Sequence, residues 1–407
     1  MKEISSDKLI TAIDVGTTKI CVLVAHQTEH GTIDILGIGK APSYGLKKGI
    51  VVDVAKTVQA IKLAIKEAER MAGITIQSVG IGISGAHIRA ANSLGVTPVK
   101  FGAITSYDVH QALAAAKAIP IPEGLQILQV LPQYFVIDGQ ERILNPVGMH
   151  GVRLEVHAHL IMGSVTNVQN LVTCCQLAGV TVADIVLEQL ASAQAVLSAD
   201  EKELGVAMLD IGGGTSDFAV YRNDSIWHTK VIPLAGNHFT QDIAIGVRTT
   251  LEEAERLKKT YGLLPAPNTN DVIEIETVQR TKQPLALKNL HLIISSRAQE
   301  LMTLVHEEIK AHNLHETMPT GMVLTGGGSL LKGLPELGEK ICGIPVRVGV
   351  PQIAEAYADT LGTPQYATSY GLLFYLAQQK AHAITAFDGP LIHRVFKRMR
   401  TWVSEIF

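Results

Sequence analysis

Several absences narrow this 407-residue chain before any motif is considered. It has four cysteines, Cys21, Cys174, Cys175 and Cys342, with no CxxC or zinc-type spacing. Cys174 and Cys175 fall in a helical pattern and read as core thiols of a reduced, cytoplasmic protein. Residues 1–8 carry charges, but no apolar signal core follows them. No run of 18 apolar residues occurs, so no segment reads as a membrane-spanning helix. The net charge is −3, which leaves no global basic field and argues against nucleic acid as a partner. The fifteen histidines are scattered. His157 and His159 alternate on a strand, and His312 and His315 lie near a helix end. Neither set has a third ligand in sequence, so both read as ordinary surface or core histidines.

The chain is 47% hydrophobic and 18% charged, as a globular protein is, and its length calls for two or more lobes. The most informative stretch is Asp210-Ile211-Gly212-Gly213-Gly214-Thr215-Ser216-Asp217, set between the apolar strands Val206–Leu209 and Phe218–Tyr221. Glycines in such a turn let the backbone approach a ligand, and their N–H groups can converge on an anion. A carboxylate beside them suits hydrated Mg²⁺. An ordinary glycine-rich hairpin has the same local pattern. Near the N-terminus, strand Leu9–Ile13 runs into Asp14-Val15-Gly16-Thr17-Thr18-Lys19, and strand Ile20–Val24 follows. The two Asp-led hairpins lie about half a chain apart, as two similar lobes would place them. Facing each other, they would clamp a nucleotide, with Lys19 as a point charge for phosphate. A third strand, Met322–Thr325, feeds Gly326-Gly327-Gly328, a pattern suited to a nucleoside or phosphate contact.

Between these turns, Asp53 reads as the N-cap of a helix ended by Gly73. The glycines of Val79–Ile83 suggest a helix or loop packed closely on the sheet. Residues 86–163 change character and read as a small α+β insertion with its own core. Strand Val182–Leu187 leads to Glu188 and a small-residue helix, Ala191–Ala195, that can lie close under a cleft. Glu188 suits a water-orienting base, and equally a helix N-terminal acid complementing the dipole. Glu255 and Lys258 share a helix face at i,i+3; on the residues alone they read as a surface ion pair. Residues 294–312 form a long amphipathic helix carrying Arg297, and helix Tyr366–Ala377 closes the globular part.

Residues 380–390 read as a linker holding the stop signal Asp388-Gly389-Pro390, and 391–407 as an amphipathic helix. Leu391, Val395, Met399, Trp402 and Ile406 line one face, widened by Ile392, Phe396, Val403 and Phe407. Arg394, Lys397, Arg398 and Arg400 occupy the other. At about 26 Å such a helix is short for a span and too charged for one. Basic residues opposite Trp and Phe describe a helix lying in the plane of an anionic membrane surface.

Taken together, the Asp14–Lys19, Asp210–Thr215 and Gly326–Gly328 stretches resemble the phosphate-1, phosphate-2 and adenosine motifs of the actin-like ATPase superfamily. Within it the whole chain is similar to the FtsA family of bacterial cell-division proteins. Asn145–Glu155, His228–Asn237 and the basic amphipathic C-terminus resemble that family's sequence.

The resemblance implies an α/β fold: the actin-like two-lobed ATPase fold, with duplicated ribonuclease-H-like lobes, an inserted α+β subdomain 1C and a C-terminal amphipathic helix. The implied division is 1–85 plus 164–200 for the first lobe (1A), 86–163 for subdomain 1C, and 201–379 for the second lobe. Subdomain 2B would be about 228–312, residues 362–379 would pack back on 1A, and 380–390 and 391–407 would be linker and membrane helix.

The resemblance further implies an ATP-binding anchor for the tubulin-like protein FtsZ, on the cytoplasmic side of the inner membrane at the division septum. It implies self-association into protofilaments and recruitment of later division proteins through 1C. ATP would contact Gly16, Thr17, Thr18, Lys19, Gly212, Gly213, Gly214, Thr215, Gly326, Gly327 and Gly328. Glu255 and Lys258 would then lie on the helix that reaches the adenosine. Asp14 and Asp210 would hold Mg²⁺ through water and, with Glu188, form the catalytic set. The FtsZ C-terminal peptide would dock on the subdomain of Arg297, the residue proposed to pair with it.

Related chaperone ATPases have a Glu-Pro pair where this chain has Glu188-Gln189, so slow hydrolysis at most is expected. A sugar-kinase-like phosphotransferase would need a catalytic Asp and a sugar pocket, and has no use for a basic tail. A chaperone would need a further substrate domain, and a pilus-assembly relative would lack the free amphipathic tail.

Overall fold

The computed structural model describes residues 9–28, 32–100, 102–263 and 271–385. The amphipathic segment 391–407 and the Asp388–Pro390 stop signal lie outside them.

Two five-stranded sheets repeat one topology. In the first lobe the order is Thr181–Leu187, Ser78–Ile83, Leu9–Val15, Lys19–Gln27, Ile33–Pro42. Leu9–Val15 pairs antiparallel with its hairpin partner Lys19–Gln27, which pairs antiparallel with Ile33–Pro42. On the other side of Leu9–Val15 the pairings are parallel. The second lobe runs Ser225–Ile232, Ser216–Arg222, Val206–Ile211, Met322–Thr325, Val346–Val348, again antiparallel on the hairpin side and parallel on the other. Near-continuous apolar runs such as Val206-Ala207-Met208-Leu209, all fully buried, give sheets covered on both faces. The duplicated α/β two-lobed architecture expected from the sequence is present.

Ser225–Ile232 is thus the third strand of the second lobe's sheet, and helix Gly236–Val247 follows it within the span expected for the smaller subdomain. That subdomain also holds helix Leu251–Tyr261, capped by Thr250, the hairpin Val272–Glu276 with Lys282–Ala286, and helix Leu287–Ala311. The last starts seven residues before the amphipathic stretch read from the sequence, at the end of the hairpin.

The insertion forms its own four-stranded antiparallel sheet, Arg89–Pro98, Arg153–Ser164, Leu125–Ile137 and Gln140–Ile143. Helix Ser106–Ala116 lies on it, started by a capping box between Thr105 and Asp108. Leu154, Val156, Ala158 and Leu160 alternate into a separate core with Ile104, Ala112 and Phe135. The other face meets strand Ser225–Ile232 of the second lobe. There Gln133 Nε2 donates to the Ile226 carbonyl at 3.0 Å, and His159 lies 2.8 Å from Thr229 Oγ1.

Helix Ala367–Thr385 runs five residues beyond Lys380, into the segment read as linker. Its Leu372, Leu373 and Leu376 join the first lobe's core. The helix can settle there because Gly371 presses against the Ala191 carbonyl and Gly80 leaves room for Leu376. The small residues of Glu188–Val196 and the glycines of Ser78–Ile83 thus serve the close packing expected of them.

Candidate functional site

The two Asp-led hairpins close in the same way. Gly16 N–H donates to Lys19 O at 3.0 Å, and Gly212 N–H to Thr215 O at 2.9 Å. They also face each other. A β-carbon on Gly213 would collide with the Thr18 methyl, and one on Gly214 with Thr17 Oγ1. The second loop is tied to helix Gly236–Val247, where Gly236 and Asn237 N–H donate to the Gly212 and Gly213 carbonyls at 3.0 and 2.9 Å. The third turn touches the second: a β-carbon on Gly326 would strike Asp210 Oδ1, and one on Gly328 would strike Ile211. Gly326, with φ at +77°, also needs the left-handed backbone that glycine adopts freely. Gly327 is less constrained, since a β-carbon there meets only Gln365 Cβ at 3.7 Å.

Four carboxyl groups converge where the loops meet. Asp14 is buried and accepts from Ser369 Oγ at 2.7 Å, with Lys19 Nζ at 3.8 Å. Lys19 also donates to the Gln365 carbonyl and lies 4.5 Å over the Tyr366 ring. Asp210 is buried and accepts from Ser192 Oγ and from Thr368 Oγ1, the latter at 2.9 Å. Burial pushes its carboxyl up, against the pull of those two hydroxyls. Asp217 accepts from Ser84 Oγ at 2.5 Å, Gln189 Nε2 at 3.0 Å and Thr215 Oγ1 at 3.3 Å. Burial first, with the Asp210 charge adding, pushes it up to about 7.

Glu188 is the first residue of its helix, as the dipole reading expects, and it also faces the cleft. Burial, then Asp14, Asp217 and Asp210, raise it well above the usual range, which outweighs the helix end.

The pair Glu255–Lys258 is not a surface ion pair. Lys258 Nζ is half-buried, 2.6 Å from Glu255 Oε2, and also donates to the Gly236 carbonyl at 3.1 Å and Thr240 Oγ1 at 3.0 Å. It therefore stands behind the second glycine loop. Arg297 is elsewhere. It forms a bidentate pair with Asp242, at 2.5 and 3.0 Å, and bonds Glu300, tying helix Leu287–Ala311 to helix Gly236–Val247.

Sequence reasoning missed the hydroxyl and amide shell of Ser84, Gln189, Ser192, Thr368 and Ser369. None sits in a glycine turn. Asp217, at the end of the most informative stretch, was the available signal.

This geometry can be set beside known proteins. A family model for cell division protein FtsA matches residues 207–371, and one for the SHS2 domain inserted in FtsA matches 85–162. The chain is 40% identical over 418 residues to cell division protein FtsA of Pseudomonas aeruginosa, covering 100% of both chains. It belongs to the FtsA family. FtsA of Escherichia coli K12 is 35% identical, covering 98% of each chain. Among solved structures, a PilM–PilN type IV pilus biogenesis complex aligns with a TM-score of 0.66 at 18% identity, over 90% of this chain and 98% of that one. MreB5 of Spiroplasma citri bound to ADP aligns with a TM-score of 0.56 at 15% identity, over 92% and 98%. These likenesses identify the actin-like fold. The inserted SHS2 domain of the FtsA family is the four-stranded subdomain described above, and the cell-division assignment agrees with the resemblance drawn from the motifs.

Proposed function

We propose that this FtsA-family chain binds ATP with Mg²⁺ between its lobes and uses the nucleotide as an assembly switch. It would anchor FtsZ to the cytoplasmic side of the inner membrane at the septum. The observation that carries the reading is the meeting of the Thr17–Thr18 and Gly213–Gly214 loops, backed by Asp14 and Asp210. The carboxylates fit a hydrated divalent ion. They are buried together and accept hydroxyl bonds from Ser369, Ser192 and Thr368, so a cation would relieve the charge they share. Mg²⁺ would supply neutralisation of phosphate charge, and Asp14 and Asp210 would hold it through water. The backbone N–H groups of Gly16–Lys19 and Gly212–Thr215 would cradle phosphate, with Lys19 as the point charge. Gly326–Gly328, Glu255 and Lys258 would flank the nucleoside. The nucleotides named with the MreB5 structures of this fold, ADP and AMPPNP, support the choice of ligand class.

Hydrolysis would be slow. Glu188 lacks the proline that follows such an acid in related chaperones, which would leave it less sharply positioned as a base. Closing the loops on nucleotide would then favour the conformation that self-associates into protofilaments. Polymerisation multiplies weak contacts through effective concentration. Those contacts would be the basic amphipathic segment 391–407 on anionic lipid and the FtsZ C-terminal peptide on the subdomain of Arg297. Subdomain 1C would recruit later division proteins.

Liposome flotation with FtsZ tests this, comparing the full chain with one ending at Pro390. The full chain is expected to carry FtsZ to the lipid with ATP–Mg²⁺, and the truncated chain to leave it in solution. Equal flotation would end the anchor reading. Unchanged ATP affinity and filament formation in Asp210→Ala would end the clamp reading.

A further inference from the structure

Among the described residues, one group of metal-ligating side chains gathers outside the cleft. His228 comes from strand Ser225–Ile232; Glu308 and His312 come from the end of helix Leu287–Ala311 and its C-cap. From the sequence, His312 lacked further ligands. The fold supplies two, because the helix end lies along that strand. Glu308 and His312 are i,i+4 and so share a face. His228 Nε2 is 2.8 Å from Glu308 Oε1, and His312 Nδ1 is 3.3 Å from the same oxygen. All three ligand atoms lie within 4.8 Å of one another, and the two imidazole rings are 4.2 Å apart.

The surroundings favour a cation over a simple ion pair. The His228 and Glu308 side chains are only 14% and 13% exposed, while His312 is 48% exposed, which gives a dry back and a wet mouth. Lys230 Nζ holds the other carboxylate oxygen, Oε2, at 3.2 Å, which orients Oε1 toward the histidines. Outer partners of metal-ligating carboxylates act in this way. Two imidazoles and one carboxylate, with a position left for solvent, make a donor set suited to Zn²⁺-class ions and poorly suited to Mg²⁺ or Ca²⁺, which prefer oxygen.

We propose that His228, Glu308 and His312 form a divalent transition-metal site. An ion there fastens the end of the long helix to the strand whose next residue, Thr229, bonds His159 of the inserted subdomain. The test is calorimetric titration of the chelator-treated full chain with Zn²⁺ alone, without nucleotide. Wild type is expected to take one equivalent. His312→Ala and Glu308→Gln are expected to weaken it about tenfold or more, and His315→Ala to leave it unchanged. His312 is exposed at a helix end, so its removal spares the fold, and circular dichroism melts of each variant check this. The proposal is overturned if wild type takes no Zn²⁺, or if folded His312→Ala binds it as wild type does.

Discussion

Thr18 of the first lobe stands against the backbone of Gly213 in the second, so closely that a β-carbon on the glycine would overlap the threonine methyl. The distance between the lobes at this point is set by the absence of one carbon atom.

Gly213→Ala is therefore expected to hold the two loops apart. The three nearest atoms to that β-carbon all belong to Thr18 of the facing lobe, so global stability should change little, while ATP–Mg²⁺ affinity should fall about tenfold or more. Isothermal titration measures this. Thr18→Ala in the same chain is expected to restore part of the loss, and Gly327→Ala, where a β-carbon meets only Gln365, to bind within about twofold of wild type.

Asp217 gives the cleft a pH signature. Its folded pKa of about 7 lies above the ordinary 3.8, so between those values the folded chain keeps a proton that the unfolded chain releases. Nucleotide-free stability must fall as pH rises through that window. Asp217→Asn retains an acceptor for Ser84 and removes the charge. It is expected to flatten the dependence and to stabilise the protein by about 1–3 kcal/mol near pH 8. Urea unfolding on both sides of neutrality, without nucleotide, decides it; a steeper dependence in the variant would refute it.

Lys258 and Lys259 both pair with Glu255, but Lys258 is half-buried and Lys259 exposed. Lys258→Ala should cost about 1–3 kcal/mol, since Glu255 and the Gly236 carbonyl lose an enclosed donor. It should also weaken ATP binding. Lys259→Ala should do neither. Thermal melts with and without ATP–Mg²⁺ separate the two effects.

Gly371 has no space for a side chain against the Ala191 carbonyl. Gly371→Val is expected to destabilise by more than about 4 kcal/mol, a loss visible in chemical denaturation. It should also disturb Asp210, whose partner Ser192 is on the Ala191 helix.

The hairpins and glycine turns were legible in the sequence because their signals are local: an Asp, a run of small residues, an apolar strand on either side. The duplicated lobes followed from their repetition. The shell around the carboxylates was not legible. Ser84, Ser192, Thr368 and Ser369 are common residues whose importance comes from which chain segments cross there. The long-range pairing of Asp210 with Thr368, 158 residues apart, leaves no spacing to read. The same holds for Lys258, whose i,i+3 partner is visible in sequence while the enclosing Gly236 turn is not.

Thr368 and Ser369 are neighbours at the start of one helix, yet they bond carboxylates of different lobes, Asp210 and Asp14. Any shear between those lobes must break one bond or rotate the helix. From Ser369 to Thr385 that helix extends roughly 24 Å, so a tilt of roughly 10° sweeps its far end through about 4 Å. Such a rotation would make it a lever with its fulcrum under the cleft, working against the burial of Leu372, Leu373 and Leu376 in the first lobe's core.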